Sequence, residues 1–408
     1  MYFDVLVIGA GPAGLAFSAL AADIGLSVAV FDRQSKKNLA DPQNDGRDIA
    51  IAVKSQTILQ DMGAWDFIPD DEISPIRKAT VIDGDSPFTL NFDPENTGAT
   101  QLGNIVSNHL IKQALHKVAA KKTGVTIFSN ADVVSLERDL QSTTLVLKDG
   151  SAFTAPLAIA ADTRFSKTRR DAGIKANMHD FGHTMIVGRM RHTKPHNHIA
   201  RECFRYDGGL AVLPLNNNRA SVVQTFPADR ASQLLSMDDQ DYVRITEHRL
   251  GGLLGELECE GERIAYPLVG VYARRFYAKR FALIGDAAVG MHPVTAHGFN
   301  FGIQGIANLV HHLSNAKSRN LDIGNDAALK AYDRDHRRLT WPLYQMTEKM
   351  IGLYTTNTVP ARIARKAALH AVEVLQPAKD IVMAQLTNTQ LRSVLKRKFP
   401  VLPRLPRL

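Results

Sequence analysis

The stretch that most constrains the fold is "FDVLVIGAGPAGLAFSALAADIGLSVAVFDRQ", residues 3–34. A short apolar run at 3–8 reads as a strand, 13–24 as a helix, and 27–31 as a second strand closed by an acid. Between the first strand and the helix stand Gly9, Gly11 and Gly14 in G-x-G-x-x-G spacing, with Pro12 and Ala13 at the helix start. Each glycine has a separate physical reason. Gly9 permits a tight turn, Gly11 lets backbone approach a pyrophosphate, and Gly14 lets the helix pack close to the strand. The helix then aims free N–H groups and its positive dipole end at the phosphates. Asp32 follows the glycines by about 20 residues, where an acid hydrogen-bonds a ribose. The whole unit predicts a dinucleotide-binding βαβ fold and fits FAD or NAD equally.

The same stretch is long and apolar enough to suggest a secretion signal or a membrane span. The leader "MYFD" carries an acid and no basic residue, and the glycine break interrupts the run after a few residues. Strand, turn and helix is therefore the expected structure, and no other run approaches a spanning helix in length. With 408 residues, 45% of them hydrophobic, the chain can bury two or three cores. Cys203 and Cys259 lie far apart without metal-ligand spacing, which argues against a disulfide scaffold or a zinc site and fits a reducing cytoplasm. No metal site is expected. The net charge of +8 is concentrated late, in "LRSVLKRKFPVLPRLPRL". No nucleic-acid motif accompanies it, and no aromatic residues interleave with the basic ones, so nucleic acid is not an expected partner.

A second glycine-rich segment, "GDAAVGMHPVTAHGFNFG", covers 285–302, after the strand-like "RFALI" and before the helix-like "GIQGIANLVHHL". Asp286 can accept hydrogen bonds from sugar-alcohol hydroxyls, and the glycines leave space for a flat ring. Further along the order run "DGRDIAIAVKSQTILQDMGAW", "IVSNHLIKQAL" and "LAIAADTRFSKTRRDAGI". Taken singly, these residues have plain explanations: Arg47 as a solvated loop charge, Asn108 as a helix N-cap, Asp162 as a strand terminator. No second G-x-G-x-x-G follows a strand, as a reductase with two dinucleotide domains would require.

Together these segments, in this order, resemble the flavoprotein aromatic hydroxylases, from residue 1 to about 313. The resemblance is nearest to the ubiquinone-biosynthesis branch, including the demethoxyubiquinol 5-hydroxylases. It implies FAD, bound by Gly9, Gly11, Ala13, Gly14, Asp32, Arg33, Arg47, Asn108, Asp162, Gly285, Asp286, Ala287, Pro293, Gly298, Phe299 and Asn300. Ala288, Gly302, Ser166 and Arg169 belong to the same matched elements. It implies a monooxygenase in which a flavin C4a-hydroperoxide hydroxylates the ring of a prenylated quinol with O2, with NADPH or NADH as a transient electron donor. Such chemistry gains from a base near the ring hydroxyl, and His297 is the candidate, with His292 second. Three positions depart from the family pattern: Val289 where a histidine is usual, Ala296-His297-Gly298 where Gly-Gln-Gly is usual, and Thr163 where a glycine is usual. Other readings are an FAD-dependent reductase of isoprenoid lipids and a non-catalytic flavin redox sensor.

The expected fold class is α/β: a discontinuous Rossmann-like FAD-binding domain (1–69, 101–173 and 272–314), a β-sheet substrate domain (70–100 and 174–271), and a C-terminal helical region with a basic tail (315–408). Within the middle part, "KATVIDGDSPFTLNF" reads as a hairpin and "DDQDYVRITEHRLGGLL" as a helix. The segments "ALKAYDRDHRRLTWPLYQMTEKMIGLY" and "RIARKAALHAVEVLQPAKDIVMAQL" are amphipathic and read as helices capping the first domain. The basic tail is a candidate for docking on anionic lipid or on other ubiquinone-biosynthesis proteins. That placement is cytoplasmic, peripheral to the inner membrane.

Overall fold

The computed structural model describes residues 2–84, 89–94, 99–205, 208–293 and 297–355. Its centre is a six-stranded sheet in the order Tyr277–Ala278, Phe281–Leu283, Leu157–Ala160, Val5–Ile8, Val28–Phe31, Val125–Phe128. All pairs but the first are parallel. The strands Val5–Ile8, Val28–Phe31 and Leu157–Ala160 are buried at every position. That is the signature of a parallel sheet covered on both faces, and it explains why these short runs are apolar without alternation. The opening helix is Pro12–Asp23, with proline in its first turn and no side-chain cap at Gly11. A three-stranded meander, Val133–Arg138, Thr143–Leu147 and Ala152–Ala155, packs beside it.

The second large sheet has eight strands in the order Val289–Gly290, Leu257–Ala273, Ala176–His192, Arg219–Pro227, Gly208–Leu215, Ile199–Arg205, Lys78–Asp83, Thr89–Phe92. It is antiparallel except where Ile199–Arg205 meets Lys78–Asp83. The expected hairpin is present, with Ala79 opposite Phe92. The expected helix is also present, as Asp239–Leu250, capped by Asp238 and closed by left-handed Gly251. Alternation decides the two faces of this sheet. Ile186, Met190, Cys203, Leu210, Val212 and Phe226 point to one side and form a core with Leu234 and Tyr242 of the covering helices. The residues between them point the other way, toward the site described below.

A small sheet of Asp48–Ala52, Gly103–Ser107 and Ser74–Ile76 packs against the strand Gly208–Leu215 of the eight-stranded sheet and against the helices Asn108–Lys121 and Gly298–Ser318. The strands Ala176–His192 and Leu257–Ala273 are 17 residues each, and the limit expected at 271/272 falls within the second of them. The helix Gly298–Ser318 packs on the opening helix and on Asp326–Thr355. Asp326–Thr355 matches the first expected amphipathic segment. It is fastened to the six-stranded sheet by Tyr332, whose hydroxyl donates to the Leu283 carbonyl at 2.8 Å, and by Asp333, which accepts from the Phe276 N–H at 2.7 Å. The second amphipathic segment and the basic tail lie outside the described residues. No helix among the described residues is long and apolar enough to cross a membrane, and no cluster of candidate metal ligands occurs among them.

Candidate active site

The three motif glycines occupy distinct environments. Gly9 has φ +105°, and a methyl there would meet the Ala161 carbonyl oxygen at 2.5 Å. A methyl on Gly14 would stand 1.9 Å from the Gly9 carbonyl oxygen, so helix and turn touch backbone to backbone. Gly11 differs: nothing lies within 4 Å of the position its Cβ would take. Open space therefore stands ahead of a helix N-terminus whose first N–H groups have no side-chain cap. Asp32 braces the turn, its Oδ2 accepting from the Ala10 N–H at 2.8 Å and its Oδ1 from the Gln34 N–H at 2.9 Å. Arg33 is exposed beside it.

The second glycine motif comes back to the first. Residues Gly285–Ala287 form a single 3₁₀ turn, with Gly285 at φ +56°. A methyl on Gly285 would approach Ala13 Cβ to 2.8 Å, and one on Gly302 would lie 3.7 Å from the Gly285 Cα. Segments almost three hundred residues apart in sequence thus close around one place. Asp286 is half exposed and pairs with Arg164 at 2.9 Å, while Arg164 also donates to the Val269 carbonyl. The Ala287 carbonyl accepts from Arg169, a fully enclosed guanidinium that also holds the Arg164 carbonyl. Asp162 accepts from Thr168 through Oδ2, and its buried Oδ1 has no partner among the described residues. Arg164 was not foreseen. It follows the family's Ala-Asp element, but no spacing rule points to it.

Around Arg47 the plain explanations are incomplete. Arg47 keeps part of its side chain exposed, but it also pairs with Asp45 at 2.6 Å and lies 5.2 Å over the Tyr266 ring. Asn108 is not the N-cap, which is Ser107. Asn108 is the first residue of Asn108–Lys121, and its amide donates to Asp45 Oδ2 at 2.7 Å. Tyr266 of the large sheet donates to the Asp45 carbonyl at 2.5 Å. Burial alone would raise the Asp45 pKa, but the hydrogen bonds and charge of Arg47, with Asn108 behind them, hold it below the usual carboxylate range. Nearby, Arg189 of the same sheet grips Asp48 at 2.7 Å and also bonds Ser107. The loop and the sheet are thereby fixed to each other.

Asn300 has a defined structural task. Its Oδ1 accepts from the Ala52 N–H and its Nδ2 donates to the Ala50 carbonyl, both at 2.9 Å. This clasp ties the first turn of Gly298–Ser318 to the strand after Arg47. Gly298 has nothing within 4 Å of its Cβ position, and Phe299 is half-buried beside it. His297 occupies the N-cap position without capping by its side chain, and its ring lies 5.3 Å from that of Phe301. His292 meets Phe181 edge-on at 4.9 Å. Burial, with His183 and Arg164 pushing the same way, holds its imidazole at about 3, so it is neutral and a weak base at neutral pH. Pro293 is exposed next to it.

These residues fit a dinucleotide with an extended sugar-alcohol link. There is an uncapped helix end facing open space at Gly11, a buried Asp162 oxygen left over, and an unobstructed glycine at the start of a second helix. The FAD-binding-domain family model matches residues 2–347. The chain belongs to this family. Among its relatives, the ubiquinone hydroxylase UbiM of Neisseria meningitidis is 40% identical over 95% of this chain and 85% of its own length. Ubiquinone hydroxylase UbiL of Rhodospirillum rubrum is 33% identical over 95% of this chain and 90% of its own. The p-nitrophenol 4-monooxygenase PnpA of Pseudomonas putida shares the fold, with a TM-score of 0.75 at 17% identity over 95% of this chain and 99% of that one. The resemblance to FAD-dependent aromatic hydroxylases is met, and so is FAD as the cofactor. Of the anticipated residues, Gly9, Asp32, Asp162, Gly285 and Asp286 follow the ends of strands in the six-stranded sheet, whereas Arg47 and Asn108 meet at Asp45 and Asn300 holds the strand Asp48–Ala52.

Proposed function

We propose that this protein is an FAD-dependent monooxygenase that hydroxylates the ring of a prenylated quinol precursor of ubiquinone, with demethoxyubiquinol 5-hydroxylation as its reaction. The observation that carries the proposal is the joining of the Arg47 loop to the half-buried face of the eight-stranded sheet through Tyr266 and Arg189, with the helix that starts at Gly298 tied behind it by Asn300. It offers a backbone-lined approach for a flat cofactor below and a largely apolar surface for a ring above. Kinship with two ubiquinone hydroxylases supports the same substrate class.

FAD, when bound, supplies the oxygen-activating chemistry. The protein's residues bind, orient and exclude water. The Gly11 turn and the opening helix would hold the pyrophosphate, and Asp32 with Arg33 the adenosine side. Asp286, Asp162 and Arg164 would hold the linking chain. Arg47 and Asn108, locked through Asp45, would fix the ring edge, with Pro293, Phe299 and the Gly298 helix start beside it. The positive helix end favours negative charge there. The division proposed is an FAD-binding part, a substrate sheet and a C-terminal helical cap, with the anticipated limits at 271/272 and 314/315 falling inside the strand Leu257–Ala273 and the helix Gly298–Ser318. NADPH or NADH serves as a transient donor without its own Rossmann unit.

A membrane-surface placement is supported by an open groove of about 930 Å³ on Asp326–Thr355, where Arg275, Lys330, Arg334 and Arg338 gather with Trp341. Cations beside an exposed tryptophan suit the anionic headgroup region that borders a membrane-dissolved substrate. Deleting the gene in its host and weighing the quinone intermediate that accumulates tests the substrate assignment. The proposal expects a prenylated ring lacking one oxygen, and an unchanged quinone profile would contradict it.

A further inference from the structure

The face of the eight-stranded sheet turned toward the site is mostly apolar and half-buried. Pairing places Ile264, Val187, Val223, Ala211, Glu202 and Val81 on one cross-strand row. The next row holds Tyr266, Met185, Thr225, Gly209 and Phe204. Tyr266 anchors the Arg47 loop at one end. Glu202 stands four strands away, about 19 Å at ~4.8 Å per strand. Between them the floor is Met185, Val223 and Ala211. Glu202 is a charged residue type in an apolar row, and it makes no ion pair or hydrogen bond with another described residue. As a residue it is half-buried rather than fully packed away. A methyl built on Gly209 would lie 3.5 Å from Glu202 Oε1 and 3.9 Å from Thr225 Oγ1. The missing side chain at Gly209 thus leaves room for about a methyl group between two polar atoms in an otherwise apolar floor.

We propose that Glu202, with Thr225, is the polar anchor for the substrate ring, its carboxyl hydrogen-bonding a ring hydroxyl and the ring oxygen beside it. The chemistry matches a neutral, oxygen-substituted aromatic ring. A neutral carboxyl accepts through its carbonyl oxygen and donates through its O–H, so it can satisfy a hydroxyl and an adjacent methoxy oxygen together. Desolvation pushes the Glu202 carboxyl up to about 8, which keeps it neutral at pH 7. Few charges compete. Arg201, Cys203 and Arg205 lie on the opposite face of the same strand. Gly208–Leu215 and Thr89–Phe92 bring no titratable group. Arg219, at the far end of its strand, is paired with Glu72 and Glu260. Among the described residues, Asp83 is the titratable group one step along on this face.

The inference rests on the hydroxylase proposal, and the test separates the two. A methoxyphenol carrying one prenyl unit is titrated into the FAD-loaded protein, with the flavin absorption spectrum reporting binding between pH 6.5 and about 9.5. For the wild type, affinity is expected to fall above about pH 8, approaching tenfold per pH unit as the donor is lost and a charge enters the apolar floor. Glu202→Gln keeps both hydrogen-bonding functions, so its affinity is expected within about threefold of wild type at pH 7 and flat across the range. Glu202→Leu is expected to weaken binding by at least tenfold, and Thr225→Val by a few-fold. Both Glu202 variants are expected to melt at or above the wild-type temperature, since each removes a desolvated carboxyl. Wild-type affinity in Glu202→Leu, or the same pH profile in wild type and Glu202→Gln, overturns the inference while leaving the hydroxylase proposal intact. Absence of any binding or hydroxylation by the wild type removes the proposal beneath it.

Discussion

The two large sheets solve different problems with different means. The six-stranded parallel sheet is apolar at every core position, and its functional end is made of backbone: Gly9, Gly11, Gly14 and the turn at Gly285. The eight-stranded sheet alternates, and its functional face is made of side chains: Tyr266, Arg189, Glu202 and Thr225. A cofactor that is the same in every turnover can be held by main-chain N–H groups, which tolerate almost no change in the residues around them. A substrate ring must be distinguished from other rings, which is a task for side chains on a scaffold whose strands can vary.

The largest expected effect falls on the backbone-made end. Gly14→Val would drive a side chain into the Gly9 carbonyl, so it should cost more than ~3 kcal/mol by overpacking and give a poorly folded, colourless protein. The ratio of flavin to protein after purification measures this. Gly11→Ala sharpens the comparison. Its site is open and its φ of −74° is ordinary, so the FAD-free melting temperature should be nearly unchanged while FAD affinity drops by about tenfold or more. Equal losses in both quantities would mean that Gly11 serves packing and not a phosphate.

A smaller effect is expected where the helix Gly298–Ser318 is tied to the small sheet. Asn300→Ala leaves the Ala50 carbonyl and Ala52 N–H without their bonds, which should cost ~1–3 kcal/mol and lower the melting temperature by several degrees. Reversing the charge of Arg275, Lys330 and Arg338 together should cut binding to vesicles of anionic phospholipid by more than tenfold, at ~1 kcal/mol per residue, and leave turnover of a short-tailed soluble substrate unchanged. The smallest change is foreseen at the histidines. If His297 is the base, His297→Gln should lower the hydroxylation rate and move its pH profile. An unaltered rate and profile removes it from that role. His292→Gln should leave the profile between pH 5 and 9 alone, because its imidazole is neutral throughout that window.

The same contrast explains what could be read before the fold was known. Gly9, Gly11 and Gly14 were legible because their spacing is dictated by a local strand-turn-helix geometry. The Asp286 turn was legible as a family pattern. Arg47 and Asn108 were legible as positions, but their link through Asp45 was not, because three segments had to meet before it existed. Asn300 could be anticipated near the cofactor, yet its clasp on Ala50 and Ala52 depends on a contact about 250 residues away. Glu202 was passed over within "RECFRYDGG". Whether a strand residue faces a helix or a substrate depends on register, and one step along the strand reverses the answer. Arg164 was hidden for a different reason: its partner Asp286 lies 122 residues on, in another strand-turn unit.

The most direct test of the central claim is isotopic. The FAD-loaded protein is given a chemical reductant, ¹⁸O2 and a prenylated phenol, and the product is weighed. One new ring hydroxyl carrying ¹⁸O is expected, and no product when oxygen is withheld. A product that forms without oxygen, or one that has gained two hydrogens across a prenyl double bond, would contradict the claim.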